Sequence, residues 1–295
     1  MSEPISIGTN TIPNLLIDRL NTKLEHLRKD GLPLDIDIDK IGDFTFMDCR
    51  VQNCQKAGEE DVFNVTKAYI ANCLADIIID EWESRIVRKI IRGHYFYYNE
   101  EEKNVILSKA KEMLNPEGYA SFQRRQRKET ILQKVLDYLD LHKELILEGF
   151  INFRLKEYQQ ELEDIVNFAV DEFLLEKEYV EFIRLLRYFV DIQEPRIETI
   201  KIIFKKNEKF TLLDSNNELF QHECLDGLMV DLLENDINYD DLLISALITL
   251  APRQIELHIQ KDVRIRDGIK TIQNVFGQRV SLCNGCPMCR PTNEE

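Results

Sequence analysis

The sequence predicts an α+β fold that is predominantly helical, with a helical body, a small N-terminal strand pair and a C-terminal mixed α/β domain. Three observations support this class. Long central stretches carry apolar residues at helical spacing and contain few helix breakers. Residues 34–39 alternate strictly between apolar and acidic. The last hundred residues alternate between short strand-like and helix-like patterns.

The N-terminal part combines one helix with a strand pair. The helix is indicated by leucines that recur at helical spacing, Leu15, Leu16, Leu20, Leu24 and Leu27, and it ends near Asp30-Gly31 and Pro33. Residues 34–39 then predict a half-buried strand that turns three aspartates outward, and its partner is predicted over 44–51. The aspartates are interpreted as a solvated face, and a divalent-cation site is the alternative.

The centre of the chain is predicted to be helical. Residues 62–92 repeat an apolar residue every fourth position, at Ile78, Trp82, Ile86 and Ile90. Further helices are predicted over 101–114, 131–147 and 150–190.

The C-terminal part reads as a mixed α/β region. Strands are predicted over 199–204 and 210–213 as a hairpin, and then over 255–260 and 279–282. Helices are predicted over 225–233 and 239–250, and from an N-cap at Asp262 to Gly277. The predicted boundaries divide the chain into residues 1–115, 116–194 and 195–295.

Composition excludes several classes of protein. Apolar residues make up 44% and charged residues 31% of 295 residues, as in a globular rather than a disordered protein. The net charge of −15 disfavours broad contact with nucleic acid or an anionic membrane. The sequence shows no secretory pattern, and stretches such as 242–251 are too short to span a bilayer, so a cytoplasmic location is predicted.

The sharpest motif is a cluster of three cysteines near the end of the chain. Cys283, Cys286 and Cys289 are each separated by two residues, and Gly285 allows the backbone to turn between them. Thiolates at this spacing predict zinc or, less strongly, an iron–sulfur cluster. The fourth cysteine of a ferredoxin run is missing, because Asn293 occupies its position. Three reduced thiols that bind no metal are the alternative.

A closed zinc site needs a fourth ligand from elsewhere in the chain. Cys224 and His222 are the predicted candidates because they belong to the same C-terminal region, and Cys49 and Cys54 are weaker ones. His258 is placed on the polar side of its strand, where it would face Cys224 only if the fold brought them together.

Two basic segments are candidate contacts for a polyanion. Arg124, Arg125, Arg127 and Lys128 form a short run that is interpreted as a solvated helix start, with a phosphate or nucleic-acid contact as the alternative. Residues 253–290 contain seven basic and three acidic side chains, a local charge of +4 in an acidic chain.

The sequence contains no phosphate-binding glycine loop, no Gly-x-Ser-x-Gly elbow and no His-Glu-x-x-His pair. No catalytic residue and no organic cofactor site is therefore predicted, and a non-enzymatic role is favoured.

Four segments resemble the YtxC-like family of sporulation proteins: residues 149–155, 171–179 and 242–252 and the cysteine cluster at 283–289. The resemblance covers the second half of the chain, and the first half in layout only. It implies a cytoplasmic role in a spore-forming bacterium and carries over no activity, catalytic residue or cofactor.

The sequence therefore predicts a sporulation-associated interaction protein with a C-terminal metal site and an unidentified protein partner. The sequence also allows two alternative functions. One is a nucleic-acid-binding factor with a zinc-stabilised C-terminus, and the other is an iron–sulfur redox protein.

Overall fold

A computed structural model gives the fold of the chain. It describes residues 4–29, 34–51, 59–116, 120–204, 210–220, 239–259 and 267–289. The predicted helix at 225–233, the predicted N-cap Asp262, and His222, Cys224 and Cys54 lie outside these residues.

The chain forms two compact units, Met1–Leu174 and Leu175–Glu295. Each contains a four-stranded sheet and its own apolar core, and the α+β class is confirmed. The domain boundaries predicted at residues 115 and 194 remain a prediction.

The first unit contains a mixed sheet with the strand order β2-β3-β1-β4. Its strands are β1 (Ile5–Thr9), β2 (Leu34–Ile41), β3 (Phe44–Val51) and β4 (Glu144–Ile146). The predicted β2–β3 pair is confirmed as antiparallel. Strands β1 and β4, which pair in parallel, were not predicted. The prediction of helix through residue 147 was wrong over β4, because three residues are too few to show an alternating pattern.

The other elements up to residue 192 are helices, and the last of them extends past Leu174 into the second unit. They are α1 (Pro13–Lys29), α2 (Glu59–Ile77), α3 (Glu83–His94), α4 (Glu100–Leu114), α5 (Ala120–Leu141), α6 (Leu147–Arg154) and the long α7 (Lys156–Ile192). Asn99 and Glu102 form a reciprocal capping box at the start of α4. These helices confirm the predicted helical body.

A π-helical turn, Ile78–Trp82, connects α2 to α3 without interrupting the helical run. A π turn accommodates one residue more than an α turn. Ile78 and Ile79 are buried here, and Ile86, Val87 and Ile91 of α3 are also buried. The exposed face of α3 is rich in cationic side chains.

A buried carboxylate links three helices of the first unit. Glu83 is only 5% exposed. It accepts hydrogen bonds from the Tyr158 hydroxyl at 2.7 Å and from Arg127 Nε at 3.0 Å. Burial raises the pKa of Tyr158, with the Glu83 charge as the next cause. The ion pair and the hydrogen bond together satisfy a charge that would otherwise be costly to bury.

The second unit contains a sheet with the strand order β6-β5-β7-β8. The strands are β5 (Ile197–Phe204), β6 (Phe210–Leu213), β7 (Pro252–Ile259) and β8 (Val280–Leu282), and the helices are α8 (Tyr239–Leu250) and α9 (Asp267–Phe276). β5 and β6 are antiparallel, which confirms the predicted hairpin pairing, and β5, β7 and β8 are parallel. The strand–helix–strand unit from β7 through α9 to β8 places the ends of two parallel strands at one edge of the sheet.

Candidate metal centre

The strand register of the second unit brings the cysteine cluster to His258. Leu257 of β7 pairs with Leu282 of β8. The next amide, that of Cys283, donates a 2.9 Å hydrogen bond to the carbonyl oxygen of Leu257. His258, near the end of β7, and Cys283, directly after β8, are therefore the next residues along two paired strands, and their positions follow from the parallel pairing.

The chain then makes a tight turn that returns two more sulfurs to the same point. Gly285 has φ +108°, a conformation that residues with a side chain rarely adopt. A 3₁₀ turn, Pro287–Cys289, follows, and the Cys289 amide donates to the Cys286 carbonyl at 3.0 Å. Because of this turn, cysteines that are separated by two residues direct their side chains toward the same point.

The four candidate ligands form one compact group. Cys286 Sγ lies 3.3 Å and Cys289 Sγ 3.5 Å from His258 Nδ1. The two sulfurs are 3.9 Å apart, and all four ligand atoms, including that of Cys283, lie within 4.8 Å of one another. Among the residues that the structure describes, this is the one group of His, Cys, Asp and Glu found with such a geometry.

His258 is held in one orientation with its second nitrogen available for a supporting contact. The side chain is 1% exposed, and Nδ1 faces the sulfurs. Nε2 is buried without a hydrogen-bond partner in the described part of the chain, and Glu256 Oε1 lies 3.6 Å away. A histidine that binds a metal through one nitrogen commonly donates its other N–H to a carboxylate.

The surroundings of the three thiols differ. The backbone amides of Gly285 and Cys286 lower the pKa of Cys283, since they donate hydrogen bonds to its sulfur. Burial raises the pKa of Cys289 to about 11, and the neighbouring Cys283 sulfur adds to the effect. The Cys283 thiol therefore ionises more readily than the Cys289 thiol.

The ligands predicted from the sequence differ in where the structure places them. The structure brings Cys283, Cys286 and Cys289 together, whereas His222, Cys224 and Cys54 lie outside the described residues. Cys49 belongs to the buried core of the first unit, where burial raises its pKa to about 12.

Sequence reasoning missed His258 as a ligand candidate. The alternation placed it on the polar side of its strand, the side that also carries Glu256, and did not indicate that His258 is buried there. The available signal was topological: two parallel strands joined by one helix end beside each other.

The basic run on α5 is largely engaged in ion pairs within the first unit. Arg124 contacts Asp80 at 2.5 Å, Arg127 contacts Glu83 at 3.0 Å, and Lys128 contacts Asp76 at 2.6 Å. This run therefore stabilises helix packing.

The basic C-terminal segment is also partly engaged. Arg279 donates to the carbonyl oxygens of Pro252 and Val190, and Arg253 lies 3.4 Å from Glu198. Lys261, Arg264, Arg266 and Arg290 lie outside the described residues.

One continuous helical segment, Asp61–His94, is long and apolar enough to cross a membrane by length and composition alone. More than half of its most apolar window is buried within the protein. The segment serves as a core helix of the first unit, which also explains why its periodicity predicted an apolar face.

The fold and the site together define a helix-rich α+β protein with a His/Cys3 group at the edge of its C-terminal sheet. The model of the YtxC-like family matches residues 68–281, and the chain belongs to this family. The chain is similar to the uncharacterized protein YtxC of Bacillus subtilis (strain 168), with 29% identity over 207 residues, which cover 68% of this chain and 71% of the relative. No solved structure gives a significant match.

Proposed function

We propose that His258, Cys283, Cys286 and Cys289 bind one structural zinc ion in a non-enzymatic interaction protein. The observation that carries this proposal is the convergence of four donor atoms within 4.8 Å. The ion would fasten the chain after β8 to the end of β7.

The spacing of the donors fits a single ion. A tetrahedral zinc ion with Zn–S bonds of about 2.3 Å and Zn–N bonds of about 2.0 Å separates its donors by about 3.5 to 3.8 Å. The three separations between donor atoms here are 3.3, 3.5 and 3.9 Å. In a four-iron cluster each thiolate binds a different iron, which requires wider spacing. The geometry thus favours zinc over the iron–sulfur alternative.

The ligand set supports a structural role. Three cysteines and one histidine fill all four positions of a tetrahedral ion, whereas catalytic zinc retains an open position for water or substrate. His258 and Cys289 are also buried, which limits access of a substrate to the ion.

The proposed interaction role is supported by α7. This helix is acidic and also exposes large apolar side chains, among them Phe168, Leu175, Phe182 and Tyr188. Exposed apolar side chains on a charged helix are typical of protein-binding surfaces. A cytoplasmic, sporulation-associated role, which the resemblance to the YtxC-like family implies, is part of this proposal.

The test of the metal proposal is the metal content of anaerobically purified protein. We expect about one zinc per chain in a colourless protein, and loss of zinc in the Cys283→Ser/Cys286→Ser/Cys289→Ser variant and in His258→Ala. The exposed His142→Ala serves as the matched control and should retain zinc. Iron with sulfide and a brown chromophore would establish the iron–sulfur alternative instead. Absence of metal from the wild-type protein would refute both.

The test of the biological role uses a spore-forming bacterium that lacks its own copy of the protein. Wild-type protein should restore the number of heat-resistant spores, and the triple cysteine variant should not. An unchanged spore count after deletion would contradict the sporulation role without affecting the metal proposal.

A further inference from the structure

We propose that the exposed face of α3 binds single-stranded nucleic acid through its phosphate backbone and its bases. The face carries Arg85, Arg88, Lys89 and Arg92, which lie within two helical turns. Their spacing of three and four residues places all four on one stripe. Together with Ser84 they line a groove of about 910 Å³.

These cations are available to an external anion. All four are exposed, and the ion pairs found within the described residues include no partner for Arg85, Arg88 or Lys89. Arg92 lies 3.7 Å from Glu100, in a pair that is open to solvent and therefore weak.

The acidic residues at one end of the groove do not cancel this charge. Asp80 lines the groove, but Arg19 and Arg124 contact it at 3.6 and 2.5 Å. Glu81 is the other acidic residue of the lining. In contrast, Arg124, Arg127 and Lys128 of the α5 run form internal ion pairs, as described above.

Exposed aromatic rings follow the cationic stripe directly. Phe96 is 73% and Tyr97 63% exposed, and their ring centroids are 5.7 Å apart. Tyr97 also contacts Tyr98, with 4.6 Å between centroids. Cations that track a backbone beside aromatic rings on which bases stack are the combination used by proteins that bind single strands.

The shape and charge of the region favour a strand over a membrane. A concave groove admits a narrow chain, whereas an anionic bilayer would also approach Glu100, Glu101 and Glu102. An acidic peptide would match the cations but would give the exposed rings no bases to stack on.

The net charge of −15 is compatible with this inference. At physiological salt, charges more than about 8 Å apart are largely screened. A local stripe of cations can therefore bind phosphates although the whole chain is acidic.

The experiment measures binding of a fluorescein-labelled 20-nucleotide oligo(U) and an oligo(dT) of the same length by anisotropy, from low to physiological salt. The test variant is Arg85→Gln/Arg88→Gln/Lys89→Gln. The matched control is Lys40→Gln/Lys111→Gln/Arg125→Gln, which removes the same charge from other exposed positions of the first unit. Thermal unfolding of each variant verifies that it remains folded.

We expect the groove variant to bind at least tenfold more weakly, and the slope of log K against log[salt] to fall by about 2, because each cation contributes about 0.7 on a single strand. The control should bind like the wild type. Phe96→Ala/Tyr97→Ala should weaken binding at every salt concentration and leave the slope unchanged. The relative affinity for oligo(U) and oligo(dT) distinguishes RNA from DNA as the source of the strand.

Three outcomes would overturn the proposal: no binding at low salt, equal loss of binding in the control variant, or equally tight binding of polyglutamate or of phosphatidylserine vesicles. Because the groove belongs to the first unit, His258→Ala should bind the oligonucleotides like the wild type. Failure of the metal proposal is thereby distinguishable from failure of this one.

Discussion

The amide of Cys283 donates a 2.9 Å hydrogen bond to the carbonyl oxygen of Leu257, and this contact extends the β7–β8 ladder by one residue. The residue after Leu257 is His258, so the ladder itself aligns the histidine with the first cysteine. The geometry of the site is thus set by backbone pairing before any ion binds, which reduces the conformational entropy lost on binding.

Glu256 is predicted to orient His258. Its Oε1 lies 3.6 Å from the His258 Nε2, which has no hydrogen-bond partner among the residues that the structure describes. Glu256→Gln should weaken zinc affinity about 10- to 100-fold, because loss of an outer carboxylate lowers the basicity of the ligand. Competition with a chromophoric chelator measures this change. Arg253→Gln on the same strand is the control, and equal affinities of the two variants would contradict the role of Glu256.

Among polar groups of the first unit, Glu83 and its partners Arg127 and Tyr158 are predicted to lose the most stability on substitution. Arg127→Ala leaves a buried carboxylate without its counter-charge and should lower the free energy of unfolding by about 3–5 kcal/mol. Tyr158→Phe, which removes one hydrogen bond to that charge, should cost about 1.5–3 kcal/mol. Urea unfolding measures both. Arg125→Ala, an exposed neighbour on α5, should change stability by less than about 0.5 kcal/mol.

Two glycines of the first unit are predicted to respond in opposite directions to substitution. A Cβ at Gly8 of β1 would lie 2.6 Å from the Phe46 ring, so Gly8→Ala should destabilise by about 1–3 kcal/mol. A Cβ at Gly93 of α3 meets no atom within 4 Å, so Gly93→Ala should stabilise by about 0.4–1 kcal/mol. Thermal unfolding of both variants decides the matter, and a shift of the same sign in both would refute this packing argument.

The described thiols are predicted to differ in reactivity when metal is absent. Burial raises the pKa of Cys49 to about 12 and that of Cys73 to about 11, so both remain protonated and inaccessible at pH 8. The lowered pKa of Cys283 gives it a larger thiolate fraction at a given pH than an unperturbed cysteine has, and the thiolate is the reactive form. Brief alkylation with iodoacetamide, followed by peptide mass spectrometry, should therefore label Cys283 before Cys49 and Cys73. Equal labelling of all three in folded protein would be inconsistent with these environments.

Periodic patterns in the sequence predicted the elements of the fold better than their pairing. The alternation of residues 34–39 and the four-residue repeat from Ile78 to Ile90 each extend over enough residues to define a structure. The short strands β1 and β4 have no such repeat, and their structure depends on a neighbour that is distant in sequence. Tertiary pairing overrides local preference in such segments.

In the candidate site too, the ligands related by local spacing were predicted, and the ligand that depends on strand pairing was not. The spacing of Cys283, Cys286 and Cys289 is local, and sequence alone predicted their convergence. His258 joins them through strand register, and a single strand pattern contains no information on which residues lie across from it. His222 and Cys224 were accordingly the residues predicted as the fourth ligand.

The π-helical turn at Ile78–Trp82 determines the direction in which the side chains of α3 point, because α3 continues the same helix. One residue corresponds to about 100° of rotation in an α-helix. Deleting a single residue from this turn would rotate α3 by about that angle, so that part of the cationic stripe would point toward the core and part of the apolar face toward water. The additional residue thus allows one uninterrupted helix to direct apolar side chains into the core of the first unit and guanidinium groups toward the solvent.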